Sequence, residues 1–350
     1  MGIDRRTLFR GGLFATTFAS MAALARNTFA QTPSNQTPPP EADIPADKRH
    51  DIPGWPAPKD MLDLWPGGVA PGLLDPNLLE IVVDDSKDPT VYHRSVHGIS
   101  RPRLAVFPAA NPNGGAMIIA PGGGYVREVL DHEGYEMARF MNAHGITAFV
   151  LFYRLPSEGW KSGPDTPLCD AQRAMRVVRA HAAAYGVDPA RVGFMGFSAG
   201  GHVCGSIATR YDAKVYDPVD AADSLSARPF LAAPIYAVQS MDAAIAHMGS
   251  RINLLGKTPT PEQIILYSPD KNVTHDTPPC FLTHSESDHT VPVENTLSFR
   301  AALKAAGVTV ETHLFPEGGH GFGLRNVVGQ PTHAWGDLFL AFAKARGLYA

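Results

Sequence analysis

The chain has 350 residues, which is enough for one large α/β domain or at most two domains. Hydrophobic residues make up 44% of it and charged residues 18%, proportions that exclude a disordered chain and a membrane-embedded one. The formal net charge is −4, so we expect no basic surface of the kind that binds nucleic acid.

Residues 1–30 have the pattern of a twin-arginine export signal. Arg5 and Arg6 precede an apolar run over 11–25, and the small residues Thr28 and Ala30 suit cleavage by signal peptidase. The apolar run is short for a membrane span, which needs about 20 residues. We therefore expect export to the periplasm or the outside of the cell, with no stable membrane span in the mature chain. An ordinary secretory signal or an uncleaved anchor is the alternative.

Residues 31–60 contain eight prolines and several charges. A segment of this composition buries little apolar surface and is typical of a linker or a surface arm. The sequence therefore predicts one folded domain over 61–350.

Apolar segments with the periods of strands and of helices alternate along 103–346, which predicts an α/β fold with a mostly parallel sheet and helices on both faces. Residues 237–277 interrupt this rhythm and predict a small insertion over the sheet edge that forms a partial lid. The helix after 147–152 has Thr166 as its expected cap. Strands are predicted at 104–107, 116–120, 147–152, 192–197, 230–236, 279–284 and 308–315. Helices are predicted at 134–143, 168–185, 199–209, 293–306 and 335–346.

The segment from Gly196 to Gly200 has the pattern G-x-S-x-G and lies between a predicted strand and a helix of small residues. In this context a sharp turn exposes the serine hydroxyl. The N-terminus of the following helix favours negative charge on the attacking oxygen. The sequence therefore predicts Ser198 as a catalytic nucleophile.

A serine nucleophile needs a base, and the base needs an acid that orients it. His320 lies in a glycine-rich loop directly after the last predicted strand and is the predicted base. Asp288 is the preferred acid, because it follows the preceding strand and comes just before the turn into the next helix. Glu286 in the same loop is the alternative.

Three consecutive glycines, at 122–124, follow the predicted strand 116–120. A glycine-rich main chain approaches a substrate carbonyl without a side-chain clash. We therefore expect the N–H groups of Gly123 and Gly124, together with that of Ala199, to form an oxyanion hole. A phosphate-binding loop is the weaker interpretation, because the lysine and Ser/Thr of a P-loop are missing and the spacing is not G-x-G-x-x-G.

No zinc-binding pattern accompanies these residues. The sequence contains no H-E-x-x-H, and its three cysteines, Cys169, Cys204 and Cys280, are far apart. We therefore expect neither a metal nor an organic cofactor.

With these residues placed, the chain resembles an α/β-hydrolase of the esterase and lipase superfamily. It is most similar to exported carbohydrate esterases of the acetylxylan esterase-like, or xylanase-associated, kind. The likeness extends over nearly all of 61–345. It is carried by LWPGGVAPG (64–72), APGGGY (120–125), HEGYEMARF (132–140), YRLP (153–156), PLCDAQRAMRVVRA (167–180), VGFMGFSAGGH (192–202), SDHTVPV (287–293) and EGGHGFG (317–323).

The resemblance implies a serine esterase that removes short acyl groups, acetyl above all, from a carbohydrate such as acetylated xylan. Its partners would be small-molecule or oligosaccharide esters. A general carboxylesterase and a serine peptidase or amidase of the same fold are the alternatives, and a non-catalytic binding protein on a hydrolase scaffold is less favoured. Tyr125, Tyr153 and Trp160, near the expected mouth, are candidates for stacking on a sugar ring, with ordinary core packing as an equal alternative.

Overall fold

A computed structural model describes residues 58–87 and 91–350. The predicted export signal and nearly all of the predicted proline-rich arm lie outside these residues. The strands within them are β1 (Asp60–Asp63), β2 (Ile81–Asp84), β3 (Arg94–His97), β4 (Arg103–Phe107), β5 (Gly114–Ala120), β6 (Glu128–Val129), β7 (Thr147–Phe152), β8 (Val187–Phe197), β9 (Ala232–Ile235), β10 (Cys280–Ser285) and β11 (Val310–Phe315). The α-helices are α1 (Glu136–Ala143), α2 (Thr166–His181), α3 (Ser198–Arg210), α4 (Met248–Leu255), α5 (Pro261–Leu266), α6 (Glu294–Ala305) and α7 (Trp335–Arg346).

One large sheet has eight strands in the order β1-β4-β7-β5-β8-β9-β10-β11. From β7 to β11 all neighbours are parallel, whereas β4 runs antiparallel to both β1 and β7. The mostly parallel α/β sheet predicted from the sequence is confirmed, with an antiparallel edge that the alternating pattern did not predict. Because parallel strands end at the same edge, the loops after β5, β8, β10 and β11 all open there.

The central strands are buried on both faces, as their continuous apolar sequences predict. All six residues of β7 are buried, and successive side chains enter different cores because they point to opposite faces of the sheet. Phe149 and Leu151 pack with apolar residues of α2 and α3, while Val150 and Phe152 pack with residues of α1 and α7. These two layers of helices hold the sheet edge that carries the loops.

The structure differs locally from the sequence-based prediction in three places. Thr166 is the first residue of α2 rather than its cap, and its hydroxyl lies 2.6 Å from the Ser162 hydroxyl. The helix expected at 134–143 has two parts, a π-helical turn over Asp131–Tyr135 and then α1, so the helical segment begins at residue 131. A second, three-stranded sheet in the order β2-β3-β6 was not predicted. Its strands are only two to four residues long, and β2 is mostly exposed, so no clear alternation marks it.

The insertion at 237–277 contains the short helices α4 and α5. Thr260 and Gln263 form a reciprocal capping box at the start of α5. None of the helices in the described residues is both long enough and apolar enough to span a bilayer.

Candidate active site

Ser198 is the first residue of α3, in the sharp turn that directly follows β8, and its backbone is at φ 52°. This left-handed conformation is strained for a residue with a Cβ and occurs mostly where function requires it. The flanking glycines make the turn possible. A Cβ at Gly196 would lie 2.0 Å from the Gly200 carbonyl oxygen, and one at Gly200 would lie 2.2 Å from that of Ala120. The G-x-S-x-G pattern is thus a packing requirement of this turn.

The structure brings the predicted nucleophile, base and acid together in one hydrogen-bonded chain. Ser198 Oγ lies 2.9 Å from His320 Nε2, and His320 Nδ1 lies 2.7 Å from Asp288 Oδ2. A carboxylate only accepts, so Nδ1 carries the proton of the neutral ring. Nε2 is then free to accept the serine proton, which is the geometry that nucleophilic catalysis requires.

Asp288 is buried at the base of this chain and accepts several hydrogen bonds. Oδ1 accepts from the backbone N–H groups of Thr290 and Val291, both at 2.9 Å, and Oδ2 also lies 3.1 Å from His284 Nε2. Burial alone would raise the pKa of Asp288. The hydrogen bonds from His284, His320 and Val291 outweigh it and hold that pKa well below its usual range. The carboxylate therefore stays ionised and keeps His320 in one tautomer.

Glu286, the alternative acid, has a different role in the geometry. Its backbone N–H donates to the carbonyl of Phe315 at 2.7 Å, whereas the hydrogen bond from His320 goes to Asp288. The sequence analysis did not identify His284 as part of the site. Its Nε2 lies near two groups that only accept, Asp288 Oδ2 at 3.1 Å and the Val291 carbonyl at 3.0 Å, so Nε2 carries the proton. Its Nδ1 then accepts from the Thr296 hydroxyl at 2.7 Å.

The glycine loop after β5 packs directly on the serine. A Cβ at Gly122 would lie 2.9 Å from the Ser198 Cβ. The Gly122 N–H donates to Glu133 Oε2 at 2.8 Å. Within residues 58–87 and 91–350, no acceptor is found for the N–H groups of Gly123, Gly124 and Ala199. These are the donors that the sequence predicts for an oxyanion hole, and they are available in the structure.

Tyr125 and Tyr153 are not a platform for a sugar ring, because their side chains are only 1% and 0% exposed. The Tyr153 hydroxyl donates to the Pro121 carbonyl at 2.8 Å, and the Tyr125 hydroxyl donates to His202 Nδ1 at 2.6 Å. The structure corrects the stacking prediction. Both tyrosines support the glycine loop from inside the core.

Trp160 is also buried, with 4% of its surface exposed, and the Arg154 guanidinium lies 4.7 Å from its ring centroid. Arg154 is itself buried and paired with Asp170 at 2.8 Å. The stacking prediction for Trp160 is therefore wrong as well, because its indole packs in the core. Aromatic residues beside a glycine loop have the same sequence pattern whether they face a cavity or the core, so the sequence alone could not separate these cases.

The insertion contributes two residues beside the glycine loop that the sequence analysis missed. The Asn253 side-chain amide donates to the Gly124 carbonyl at 2.8 Å. His247 lies near the same glycine, since a Cβ on Gly124 would be 3.8 Å from its Cε1. Burial lowers the pKa of His247. His320, when it is protonated, lowers this pKa further, and the Asp288 carboxylate opposes the shift. Whether 237–277 acts as a lid stays a prediction.

Three or more His, Cys, Asp or Glu side chains placed to bind one metal ion are not found in the described part of the chain.

A mostly parallel sheet, with a strained serine after a central strand and its histidine and aspartate on later loops, defines the α/β-hydrolase class. The comparisons with known proteins make this more specific. The BD-FAE family model matches residues 108–303, more than half of the chain. The chain belongs to the BD-FAE family.

Among solved structures, the chain is similar to an acetyl ester-xyloside bifunctional hydrolase from Caldicellulosiruptor lactoaceticus. The two are 34% identical with a TM-score of 0.68, and the match covers 83% of this chain and 97% of the other. An acetylxylan esterase of Xylanibacter ruminicola is 36% identical over 226 residues, which are 63% of this chain and 44% of that protein. An endo-1,4-beta-xylanase B of Butyrivibrio fibrisolvens is 37% identical over 213 residues, 60% of this chain and 33% of that protein. The chain thus spans less than half of the length of these two curated relatives.

Proposed function

We propose that the protein is a serine carboxylic-ester hydrolase that removes short acyl groups, mainly acetyl, from a carbohydrate such as acetylated xylan. The observation that carries this proposal is the continuous hydrogen-bonded chain from Ser198 through His320 to Asp288. Beside it are three main-chain N–H groups for which the described residues provide no acceptor. Together they supply a nucleophile, a base of fixed tautomer and donors for a developing oxyanion.

In the proposed reaction, Ser198 Oγ attacks the ester carbonyl carbon while His320 Nε2 takes its proton. The carbonyl oxygen becomes negatively charged and accepts hydrogen bonds from the N–H groups of Gly123, Gly124 and Ala199. The imidazolium, stabilised by Asp288, gives its proton to the leaving alcohol as the carbon–oxygen bond breaks. Water then attacks the acyl-enzyme carbonyl while His320 Nε2 takes its proton. The bond from the carbonyl carbon to Ser198 Oγ breaks, His320 returns the proton to Oγ, and the carboxylic acid leaves.

The substrate class is supported by the relatives. Two of them carry names that specify acetyl esters, an acetylxylan esterase and an acetyl ester-xyloside bifunctional hydrolase, and the second matches most of both chains. The insertion at 237–277 supports a short-acyl substrate, because charged residues interrupt any long apolar face that a lipase lid needs. These are Asp242, Arg251, Lys257, Glu262, Asp270 and Lys271.

The test compares kcat/KM for p-nitrophenyl acetate, butyrate and octanoate with acetate release from acetylated xylan, with Ser198→Ala as the inactive control. We expect acetate to be preferred, since each methylene that does not fit an acyl pocket costs about 1–3 kcal/mol. Preference for octanoate, or failure to release acetate from xylan, would leave only a general carboxylesterase. Hydrolysis of aminoacyl-anilides in preference to esters would instead indicate a peptidase or amidase. Turnover of no ester or amide at all would favour a non-catalytic binding protein.

We also propose that residues 1–30 direct export by the twin-arginine route. The pair Arg5–Arg6 before an apolar run supports it. Replacing both arginines with lysine should leave precursor in the cytoplasm, measured by cell fractionation. Unchanged export would favour an ordinary secretory route.

A further inference from the structure

The segment HEGYEMARF at 132–140 has no assigned role in the proposed reaction, although it begins in the π-helical turn before α1. Such turns occur often at functional sites. Two adjacent side chains of this turn reach different loops of the site. His132 donates a hydrogen bond to the carbonyl of Gly321, in the loop of His320. Glu133 accepts a hydrogen bond from the N–H of Gly122, in the glycine loop.

Glu133 is 4% exposed, and each of its carboxylate oxygens accepts one hydrogen bond. Oε2 accepts from the N–H of Gly122 at 2.8 Å, and Oε1 accepts from the Tyr236 hydroxyl at 3.0 Å. Within the described residues the carboxylate forms no ion pair. A buried carboxylate without an ion pair is expensive to keep, so its hydrogen-bonding role must offset the loss of solvation.

Tyr236 extends this contact to the other side of the serine. Its hydroxyl oxygen accepts from the backbone N–H of Gly323 at 3.3 Å, and its ring packs edge-on against His320 with centroids 5.3 Å apart. The backbone of Tyr236 is held at φ 35°, which is strained for a non-glycine residue. The pair Glu133–Tyr236 therefore links the glycine loop to the loop that bears the base.

His132 provides a second connection to the same loop. Its Nε2 donates to the carbonyl of Gly321, the residue after His320, at 2.6 Å. Burial lowers the pKa of His132 and favours the neutral ring. The π turn thus holds both loops through adjacent residues.

We propose that Glu133 is a positioning residue, whose carboxylate sets the glycine loop relative to the His320 loop through Gly122 and Tyr236. The inference rests on the proposed ester hydrolysis. By accepting the hydrogen bond from the N–H of Gly122, Glu133 fixes the orientation of the next peptide units. The N–H groups of Gly123 and Gly124 then stay directed at the reacting carbonyl oxygen.

The experiment uses the full chain in four forms: wild type, Glu133→Gln, Tyr236→Phe and the matched control Glu136→Gln. Glu136 is a part-buried carboxylate three residues further along that pairs with Arg325 at 2.8 Å, and within the described residues no side-chain hydrogen bond joins it to 121–125 or 316–323. Four quantities are measured for each form. These are kcat and KM for p-nitrophenyl acetate, the inhibition constant of a trifluoromethyl ketone, the rate of fluorophosphonate labelling at Ser198 and the melting temperature.

Glutamine keeps the shape of the side chain but offers one acceptor and one donor in place of two acceptors. One of its two hydrogen bonds is then lost or reversed. We expect Glu133→Gln to lower kcat about 10- to 100-fold with KM within threefold of wild type, because a small displacement of catalytic groups has effects of this size. Affinity for the trifluoromethyl ketone and the labelling rate fall by similar factors. Tyr236→Phe has a smaller effect in the same direction, and Glu136→Gln stays within twofold.

A folded Glu133→Gln with kcat and inhibitor affinity within threefold of wild type overturns the proposal. A fall in melting temperature alone does so too, because it indicates a merely structural role. If Glu133→Gln does not fold, Tyr236→Phe decides, and inhibitor affinity within twofold of wild type then overturns it. The labelling rate does not depend on the natural ester. Failure of the wild type to hydrolyse acetylated xylan therefore counts against the substrate assignment and not against the role of Glu133.

Discussion

The two sides of Ser198 are held by different kinds of interaction. On the acid–base side, His320 and His284 both contact one buried carboxylate, Asp288. On the oxyanion side, the glycine loop is held through its main chain, and the tyrosine hydroxyl of Tyr153 bonds its Pro121 carbonyl. On the first side the ionisable groups take part in the proton transfer itself, whereas on the second side the supporting groups, the Glu133 carboxylate included, hold main-chain donors in place.

This difference has consequences for how each side can fail. Removing an ionisable group on the acid–base side changes a tautomer or a charge, so the proton transfer itself is lost. Removing a hydroxyl under the glycine loop leaves all reacting groups in place and only displaces the donors by a fraction of an ångström. We therefore expect large effects on the first side and graded effects on the second.

The largest effect in this comparison is expected from the acid. Asp288→Asn should lower kcat about 10⁴-fold, because an amide no longer favours the tautomer with the proton on Nδ1. Glu286→Gln is the matched control and should change kcat by less than about fivefold, since the hydrogen bond from His320 goes to Asp288. Steady-state kinetics on p-nitrophenyl acetate measure both. The reverse order of effects would transfer the acid role to Glu286.

A smaller effect is expected under the glycine loop. Tyr153→Phe leaves the Pro121 carbonyl without its buried donor and should lower kcat about tenfold, with a loss of about 1–3 kcal/mol in unfolding free energy. Tyr349→Phe is a matched control, because that hydroxyl also donates to a backbone carbonyl, Leu340 at 3.0 Å, away from the site. Kinetics and urea unfolding are measured together. Equal kcat in the two variants would show that Tyr153 does not position the loop.

The smallest effect on catalysis is expected from His202, which acts on stability. Burial lowers its pKa to about 4, the carbonyl of Tyr267 opposes this shift, and the charge of Arg210 adds to it. The unfolded chain, with an ordinary histidine pKa near 6.5, binds more protons between pH 6.5 and 4. The contribution of neutral His202 to the free energy of unfolding is therefore fully present above pH 6.5. It falls by about 3 kcal/mol as the pH decreases toward 4.

His202→Gln should remove this part of the pH dependence while keeping a side chain that accepts from Tyr125 and donates to Tyr267. Unfolding free energies at pH 7, 5.5 and 4.5 provide the comparison. The variant should lose less stability on acidification than the wild type, with kcat at pH 7 within threefold. Parallel pH profiles would contradict the assignment.

Much of the fold and the central residues of the candidate site could be predicted from the sequence. Ser198 and Asp288 follow the buried strands β8 and β10, and His320 lies in a glycine-rich loop after the partly buried edge strand β11. Such local patterns can be recognised without the tertiary structure, because a continuous apolar run marks a buried parallel strand and glycines mark the loop that follows a strand.

The supporting residues could not be predicted in the same way. The bond from Tyr125 reaches His202, 77 residues away, and that from Glu133 to Tyr236 spans 103 residues. The spacing of apolar residues that predicts helices and strands does not reveal such pairs, because they depend on which side chains the folded layers bring together. The short strands of the second sheet escaped prediction for a related reason, because two to four residues are too few to show alternation.

The measurement that tests the central claim most directly is the site of covalent labelling by a fluorophosphonate, identified by peptide mass spectrometry on the wild type and on Ser198→Ala. We expect one modified residue, Ser198, with ester hydrolysis lost in step with labelling. Ser198→Ala should take up no label and show no turnover above background. A label on another residue, together with continued hydrolysis by Ser198→Ala, would contradict the account.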